Sequence, residues 1–236
     1  MANPNKTVIV FDLDGTLFFT ETVALPAYYQ AFDRLRREGL TDVPTPPDDV
    51  LNGSYGYTAR QIWERLLPGH GAEGRDKASQ YVGSYEIEAL ESGRGRLYAE
   101  VASTLPLLTE QGYCLAVASN GAQEYVDTVL RTCGIAQHFQ VVAAASAYKT
   151  TDKADLVRIV LAELESRAGS SARLSTGFMV GDRSSDVAAG RKNGLITVGC
   201  TYGYGGPEEL AGCDVHLSRF SELPRMVASR ADHAAR

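Results

Sequence analysis

The sequence lacks the marks of several protein classes. No apolar run approaches the roughly 20 residues that a membrane-crossing helix needs, and the opening Met1-Ala-Asn-Pro-Asn-Lys6 has no signal-peptide apolar stretch. A cytoplasmic protein with no membrane partner is the expectation. There is no basic block or tail: 23 Lys and Arg face 29 Asp and Glu, a formal net charge of −6, which disfavours a nucleic acid polymer as partner. A small phosphorylated molecule stays open, because a few local cations can hold one whatever the net charge. Cys114, Cys133, Cys200 and Cys213 form no C-x-x-C pair and have no histidine at metal-ligand spacing, so reduced structural thiols are expected. No internal repeat is visible.

What is present is a chain of 236 residues, 44% hydrophobic, enough for one substantial core or for a core domain carrying a smaller insertion. Lys6-Thr-Val-Ile-Val-Phe11 is a β-branched apolar run that stops at Asp12 and is followed by Gly15, the pattern of a buried strand ending in a turn. Similar runs recur at 113–118, 139–143, 177–181, 195–199 and, more weakly, 214–217. Helical patterns separate them at 97–111, 122–132, 153–167 and 184–192, and Pro106 is expected to kink or interrupt the first of these. The alternation predicts an α/β fold, a doubly wound parallel sheet covered on both faces.

One segment breaks the alternation. Residues 18–92 carry amphipathic helical patterns at 21–38, 58–67 and 75–90 and no convincing strand, so an α-helical cap domain is expected there. The core is then 1–17 and 93–236, with hinges near Phe18–Glu21 and the glycines of Ser92-Gly-Arg-Gly-Arg96. Pro44-Thr-Pro-Pro47 reads as a loop inside the cap, and the polar tail 228–236 as frayed.

The sharpest local signal is Phe11-Asp12-Leu13-Asp14-Gly15-Thr16-Leu17, two carboxylates on a turn leaving a buried strand. Ligands of open α/β sheets gather at the carboxyl ends of strands. A lone Asp there commonly just caps a turn. Other strand ends, however, carry Ser119 with Asn120, Lys153, and Asp182 with Asp186, and successive strand ends would bring all of these into one crevice.

This pattern resembles the haloacid dehalogenase superfamily, whose motifs read D-x-D-G-T, a strand-terminal Ser or Thr, a Lys, and G-D-x-x-x-D. The resemblance spans nearly the whole chain. It implies a phosphatase acting on a small phosphorylated metabolite through an aspartyl-phosphate on Asp12, with Asp14 as acid and then base. It further implies Mg²⁺ held by Asp12, Asp182 and the backbone carbonyl of Asp14, with Asp186 binding the ion through water or orienting Lys153. Thr16, Ser119, Asn120 and Lys153 would hold the phosphoryl group. Lys149 competes with Lys153, which is favoured because it opens a helix behind Asp152 as a plausible cap. The Gly/Tyr loop at 198–206 resembles phosphoglycolate-phosphatase-like members.

Within the superfamily, Asp14 with Gly15-Thr16 argues against dehalogenation. Phosphonate hydrolysis needs a cap lysine, and the only candidate, Lys77, lies inside a helical pattern. A β-phosphoglucomutase-type phosphomutase would share every catalytic residue, and a non-catalytic binding protein on the same fold is the alternative of another class. Substrate specificity is expected on the cap, at Gly53, Tyr55 and Arg60, with Tyr28 and Tyr29 as further candidates. A monomer and a homodimer both fit.

Overall fold

Strand β1, Asn5–Phe11, is enclosed on both sides: Val8, Ile9, Val10 and Phe11 have no exposed surface. Its side chains alternate between two clusters. Ile9 and Phe11 pack with Leu115, Val117, Phe178 and Val180, while Val8 and Val10 pack with Ala116, Ala118 and Met179. A strand with two apolar faces belongs inside a sheet covered by helices on both sides. The computed structural model describes residues 5–168 and 173–234.

After β1 the chain forms four helices, α1 (Glu21–Arg37), α2 (Asp48–Asn52), α3 (Ala59–Leu66) and α4 (Ala72–Glu91), before α5 (Val101–Glu110) and β2 (Cys114–Ser119). It continues through α6 (Gln123–Thr132), β3 (Val141–Ala144), α7 (Ala145–Tyr148), α8 (Lys153–Ala168), β4 (Arg173–Gly181) and α9 (Ser184–Lys192). Strand β5 (Ile196–Cys200), α10 (Pro207–Leu210), β6 (Val215–Leu217) and α11 (Leu223–Ala234) complete it. All the strand pairings are parallel, in the order β3-β2-β1-β4-β5-β6. Helices α5, α6 and α11 cover one face, and α8 and α9 the other. The chain moves outward from β1 through β2 and β3, then returns to β4 on β1's other side. This switch point is where an open sheet forms its ligand crevice.

Helices α1 to α4 build a separate apolar cluster from Tyr28, Phe32, Leu35, Trp63, Leu66, Ala78 and Val82. The two connections to the sheet lie side by side. Phe18 bridges Leu97, Phe19 N–H donates to Arg96 O at 2.9 Å, and Tyr98 N–H donates to Leu17 O at 3.0 Å. That pairing explains why α5 begins at Val101 and not at Leu97. Pro106 does not end α5, because the bond it forfeits would go to the carbonyl of Ala102, an exposed residue in the helix's first turn where water can serve. Helix α2 was not expected. Residues 41–47, which hold the Pro-rich stretch, have no regular structure.

Candidate active site

The turn after β1 is wound tightly: Leu13 O accepts from the N–H groups of Thr16, Leu17 and Phe18. Gly15 takes a positive φ of 84°, and a Cβ there would overlap the Asp182 carboxylate. Only glycine meets both demands. The turn leaves Asp12 and Asp14 buried at the carboxyl end of β1, with Asp12 N–H donating to Val180 O at 2.8 Å.

Lys153, the first residue of α8, is 5% exposed and places Nζ 2.5 Å from Asp12 Oδ1 and 3.2 Å from Asp186 Oδ1. Asp152 Oδ1 accepts from Ala154 N–H at 2.8 Å and so caps α8. Lys149, by contrast, is exposed, with φ 51°. Burial alone would lower the Lys153 pKa, but Asp12 and then Asp186 outweigh it and hold the ammonium above its ordinary value. Burial likewise pushes Asp12 well above the usual carboxylate range, with Lys153 pulling it back and the neighbouring acids adding to the rise.

Asp182 directly follows β4 and is fully enclosed. Its Oδ2 accepts from the N–H groups of Tyr204 at 2.7 Å and Gly205 at 3.2 Å. Thr16 Oγ1 lies 3.5 Å from its Oδ1, so the Thr16 hydroxyl faces Asp182. Burial, then Asp186, pushes the Asp182 pKa up to about 7, while the Tyr204 and Gly205 N–H groups and Arg183 oppose the rise. Asp12, Asp182 and Asp186 each have a carboxylate oxygen within 4.8 Å of the others, and the buried Asp186 Oδ1 has the Lys153 ammonium at 3.2 Å as its partner. This oxygen-only donor set fits a hard divalent cation.

Asp14 sits apart from that trio. Its Oδ1 accepts from Tyr125 Oη at 2.6 Å and Thr20 Oγ1 at 2.7 Å. Burial raises its pKa, and these two hydroxyls partly offset the rise. Ser119, at the end of β2, is buried and its Oγ accepts from Gly121 N–H at 3.1 Å. Asn120 Nδ2 donates to Gly56 O at 2.9 Å, joining the sheet to the loop between α2 and α3.

A cavity of about 140 Å³ runs from Asp14, Asn120 and Gly121 into the α1–α4 helices, where Tyr28, Tyr55, Trp63 and Glu86 line it. Of the expected cap residues, Tyr55 lies on this wall. Gly53 does not, although its carbonyl accepts from Arg183. Arg60 does not line this cavity: its side chain is 79% exposed and pairs with Glu64 one helical turn on. Tyr29 is exposed and bonds Asp48, whereas Tyr28 lines the cavity.

Four contributors went unread in the sequence. Tyr125 and Thr20 reach Asp14, and Glu86 faces it across the cavity, its pKa pushed up to about 8 by burial and then by Asp14. Arg183 donates through Nε and Nη2 to Tyr55 O, through Nη2 to Gly53 O, and through Nη1 to Glu209. Its place directly after Asp182 was the one available signal. The others come from elements far apart in sequence.

A turn with two buried carboxylates, a buried lysine and a carboxylate trio able to hold a cation meet at the sheet's switch point and form a candidate active site. A family model for haloacid dehalogenase-like hydrolases matches residues 9–200. The chain belongs to that family and, within it, is a phosphatase. It is 29% identical to a phosphoglycolate phosphatase of Pectobacterium atrosepticum, over 95% of this chain and 94% of that one. It is 30% identical to the tyrosine-protein kinase PtkA of Mycobacterium tuberculosis, over 84% of this chain and 63% of that one. A solved structure of a predicted phosphoglycolate phosphatase from Haemophilus somnus superposes with a TM-score of 0.79 at 21% identity, covering 96% of this chain and all of that one, which speaks for the fold.

Proposed function

We propose that the protein hydrolyses a small phosphate monoester in the presence of Mg²⁺ through an aspartyl-phosphate on Asp12, with residues 18–92 acting as a cap domain over the core formed by 1–17 and 93–236. The observation that carries this reading is the 2.5 Å contact between Lys153 Nζ and Asp12 Oδ1 inside a trio of buried carboxylates. A buried carboxylate is a poor nucleophile when protonated, and Lys153 favours its ionised form.

Asp12, Asp182 and Asp186 would hold the cation, with the Asp14 carbonyl as a further ligand; bound there, it would offset the repulsion between Asp12 and a phosphate dianion. Lys153, Ser119 and the N–H groups of the Asp12 to Asp14 turn would take the phosphoryl oxygens, with Thr16 and Asn120 shaping that cradle. Asp14 is the acid and then the base. Its raised pKa leaves it a proton to give to the leaving oxygen, and Tyr125 and Thr20 then stabilise the carboxylate that takes a proton from water. The alcohol part of the ester would occupy the cavity leading away from Asp14.

The test is phosphate release from a panel of monoesters by the wild type and Asp12→Asn, with Mg²⁺ or with EDTA. Release that needs the metal and disappears in the variant is expected. Full release by Asp12→Asn, or release indifferent to EDTA, would refute the reading.

A further inference from the structure

The cavity beyond Asp14 has a composition that selects among esters. Its wall is aromatic, with Tyr28, Tyr55, Tyr57, Trp63 and Tyr125, and its charged side chains are both acids, Asp14 and Glu86. Among the described residues, no Arg, Lys or His lines it. Nearby cations have other partners: Lys153 pairs with Asp12 and Asp186, Arg183 with the carbonyls of Gly53 and Tyr55 and with Glu209, and Arg60 with Glu64, while Arg65 lies over the Tyr57 ring at 4.8 Å without lining the cavity.

The cavity also holds unused acceptors. Glu86 forms no hydrogen bond or ion pair with any described residue, and Asn120 Oδ1 and Tyr55 Oη are buried without partners. An enclosed polar atom left unpaired is destabilising, so Asn120 Oδ1 and Tyr55 Oη are set for a ligand that bonds to them, with the half-buried Glu86 beside them. A carboxylate or second phosphate in the alcohol part would find no cation to pair with, whereas an ammonium would favour the ionised form of Glu86 and lie against the faces of the tyrosines and tryptophan. The volume of about 140 Å³ is close to that of cavities of about 150 Å³ that take up benzene.

We propose that the substrate of this chain is a phosphate monoester whose alcohol part is a compact, ring-sized body bearing a hydrogen-bond donor, foremost an ammonium, and no second anion, with Glu86 as the residue that sets this preference. The proposal rests on the phosphatase reading and deepens it. It also sets this site apart from one suited to phosphoglycolate, whose leaving part carries a carboxylate.

The test uses three aryl phosphates of one shape, bearing a para aminomethyl, hydroxymethyl or carboxylate group. Their Kd values are measured on Asp12→Asn protein and their kcat/KM on the wild type, each with and without Glu86→Gln. The ratio between the Gln variant and its parent cancels the differing acidities of the three phenols. The ammonium ester is expected to bind at least about tenfold tighter than the carboxylate ester, an interval of roughly 1.4 kcal/mol, and Glu86→Gln is expected to remove most of it. Glu86→Lys is expected to reverse the order. A carboxylate ester bound as well as the ammonium ester, or an order unchanged by both Glu86 variants, would overturn the proposal. An intact Kd order with no release from any ester would uphold this preference while sinking the hydrolytic reading.

Discussion

Replacing Arg183 by Met tests whether the cap is held over the site by one side chain. The Arg183 side chain is only 6% exposed. Its guanidinium reaches Tyr55 O at 3.1 and 2.7 Å, Gly53 O at 3.1 Å and Glu209 Oε1 at 2.8 Å, and lies 5.2 Å from the centre of the Tyr57 ring. A hydrogen bond to a charged group contributes roughly 1.5–3 kcal/mol, and bonds sharing one side chain do not add fully. A loss of about 3 kcal/mol from the closed arrangement is therefore expected, equivalent to up to about a hundredfold in the closed population. Residues 55–57 form part of the cavity wall, so the loss should appear as a raised KM and a lower kcat/KM. Hydrogen exchange over residues 53–57 should quicken, while the cap's own apolar cluster and the melting temperature change little. Arg183→Lys should recover only a small part, because a single ammonium cannot span the two carbonyls and Glu209 together. Unchanged KM and unchanged exchange at 53–57 in the Met variant would refute the argument.

Three further outcomes are expected. Tyr125→Phe removes a hydroxyl that lowers the Asp14 pKa, so the rise caused by burial should grow and the alkaline limb of the kcat/KM profile should move to higher pH; an unmoved limb would count against Asp14 as the acid. Asp182 has a native pKa of about 7 against an ordinary 3.8, so the native state binds more protons between these values and stability falls as pH rises through that window. Metal-free protein should thus melt lower at pH 7.5 than at pH 5, and Mg²⁺ should raise the melting temperature more at the higher pH; an equal gain at both would contradict the sign. Gly203→Ala would drive a Cβ into Asp182 and the Gly15 carbonyl, so overpacking of about 1–3 kcal/mol and weaker Mg²⁺ binding by calorimetry are expected; unaltered binding would show that the loop yields without moving Asp182.

The parts of the fold legible in the sequence are those set by local pattern. Runs such as Val8 to Phe11 have apolar side chains in every position, which only a two-sided sheet satisfies, and the helical segments between strands follow from their periodicity. The D-x-D-G-T turn was legible because its chemistry and its backbone are fixed together: Gly15 has the positive φ that the turn needs and the missing Cβ that Asp182 needs. Lys153 could be preferred over Lys149 from its place at a capped helix start, and the geometry brings Lys153 alone to Asp12.

The cavity wall was not legible, because it is assembled from one or two residues of each of several helices. Tyr28 and Tyr29 are adjacent in sequence, yet one lines the cavity and the other bonds Asp48 in solvent; helical phase decides which. Arg60 carries the charge expected of a substrate contact yet pairs with Glu64 away from this cavity, while Glu86 gave no local signal at all. Polar residues on an amphipathic helix look alike in sequence whether they face solvent or a cavity.

Electrostatics ties these parts together. Four buried acids, Asp12, Asp14, Asp182 and Asp186, surround one buried lysine, so ionising all of them would give the pocket an excess of negative charge before any phosphate enters, and burial resists this by raising the pKa of Asp12, Asp14 and Asp182. A phosphate dianion adds to that excess, and a divalent cation among Asp12, Asp182 and Asp186 is the group that would reverse it. Tyr204 touches both sides of this balance. Its backbone N–H donates to Asp182 Oδ2 at 2.7 Å, while its hydroxyl accepts from Glu21 N–H at 3.1 Å, at the first residue of α1. One residue of the glycine-rich loop thus contacts both a carboxylate of the cation site and the segment from which the cap begins. A shift of Asp182 on cation binding would therefore reach α1 through a single side chain.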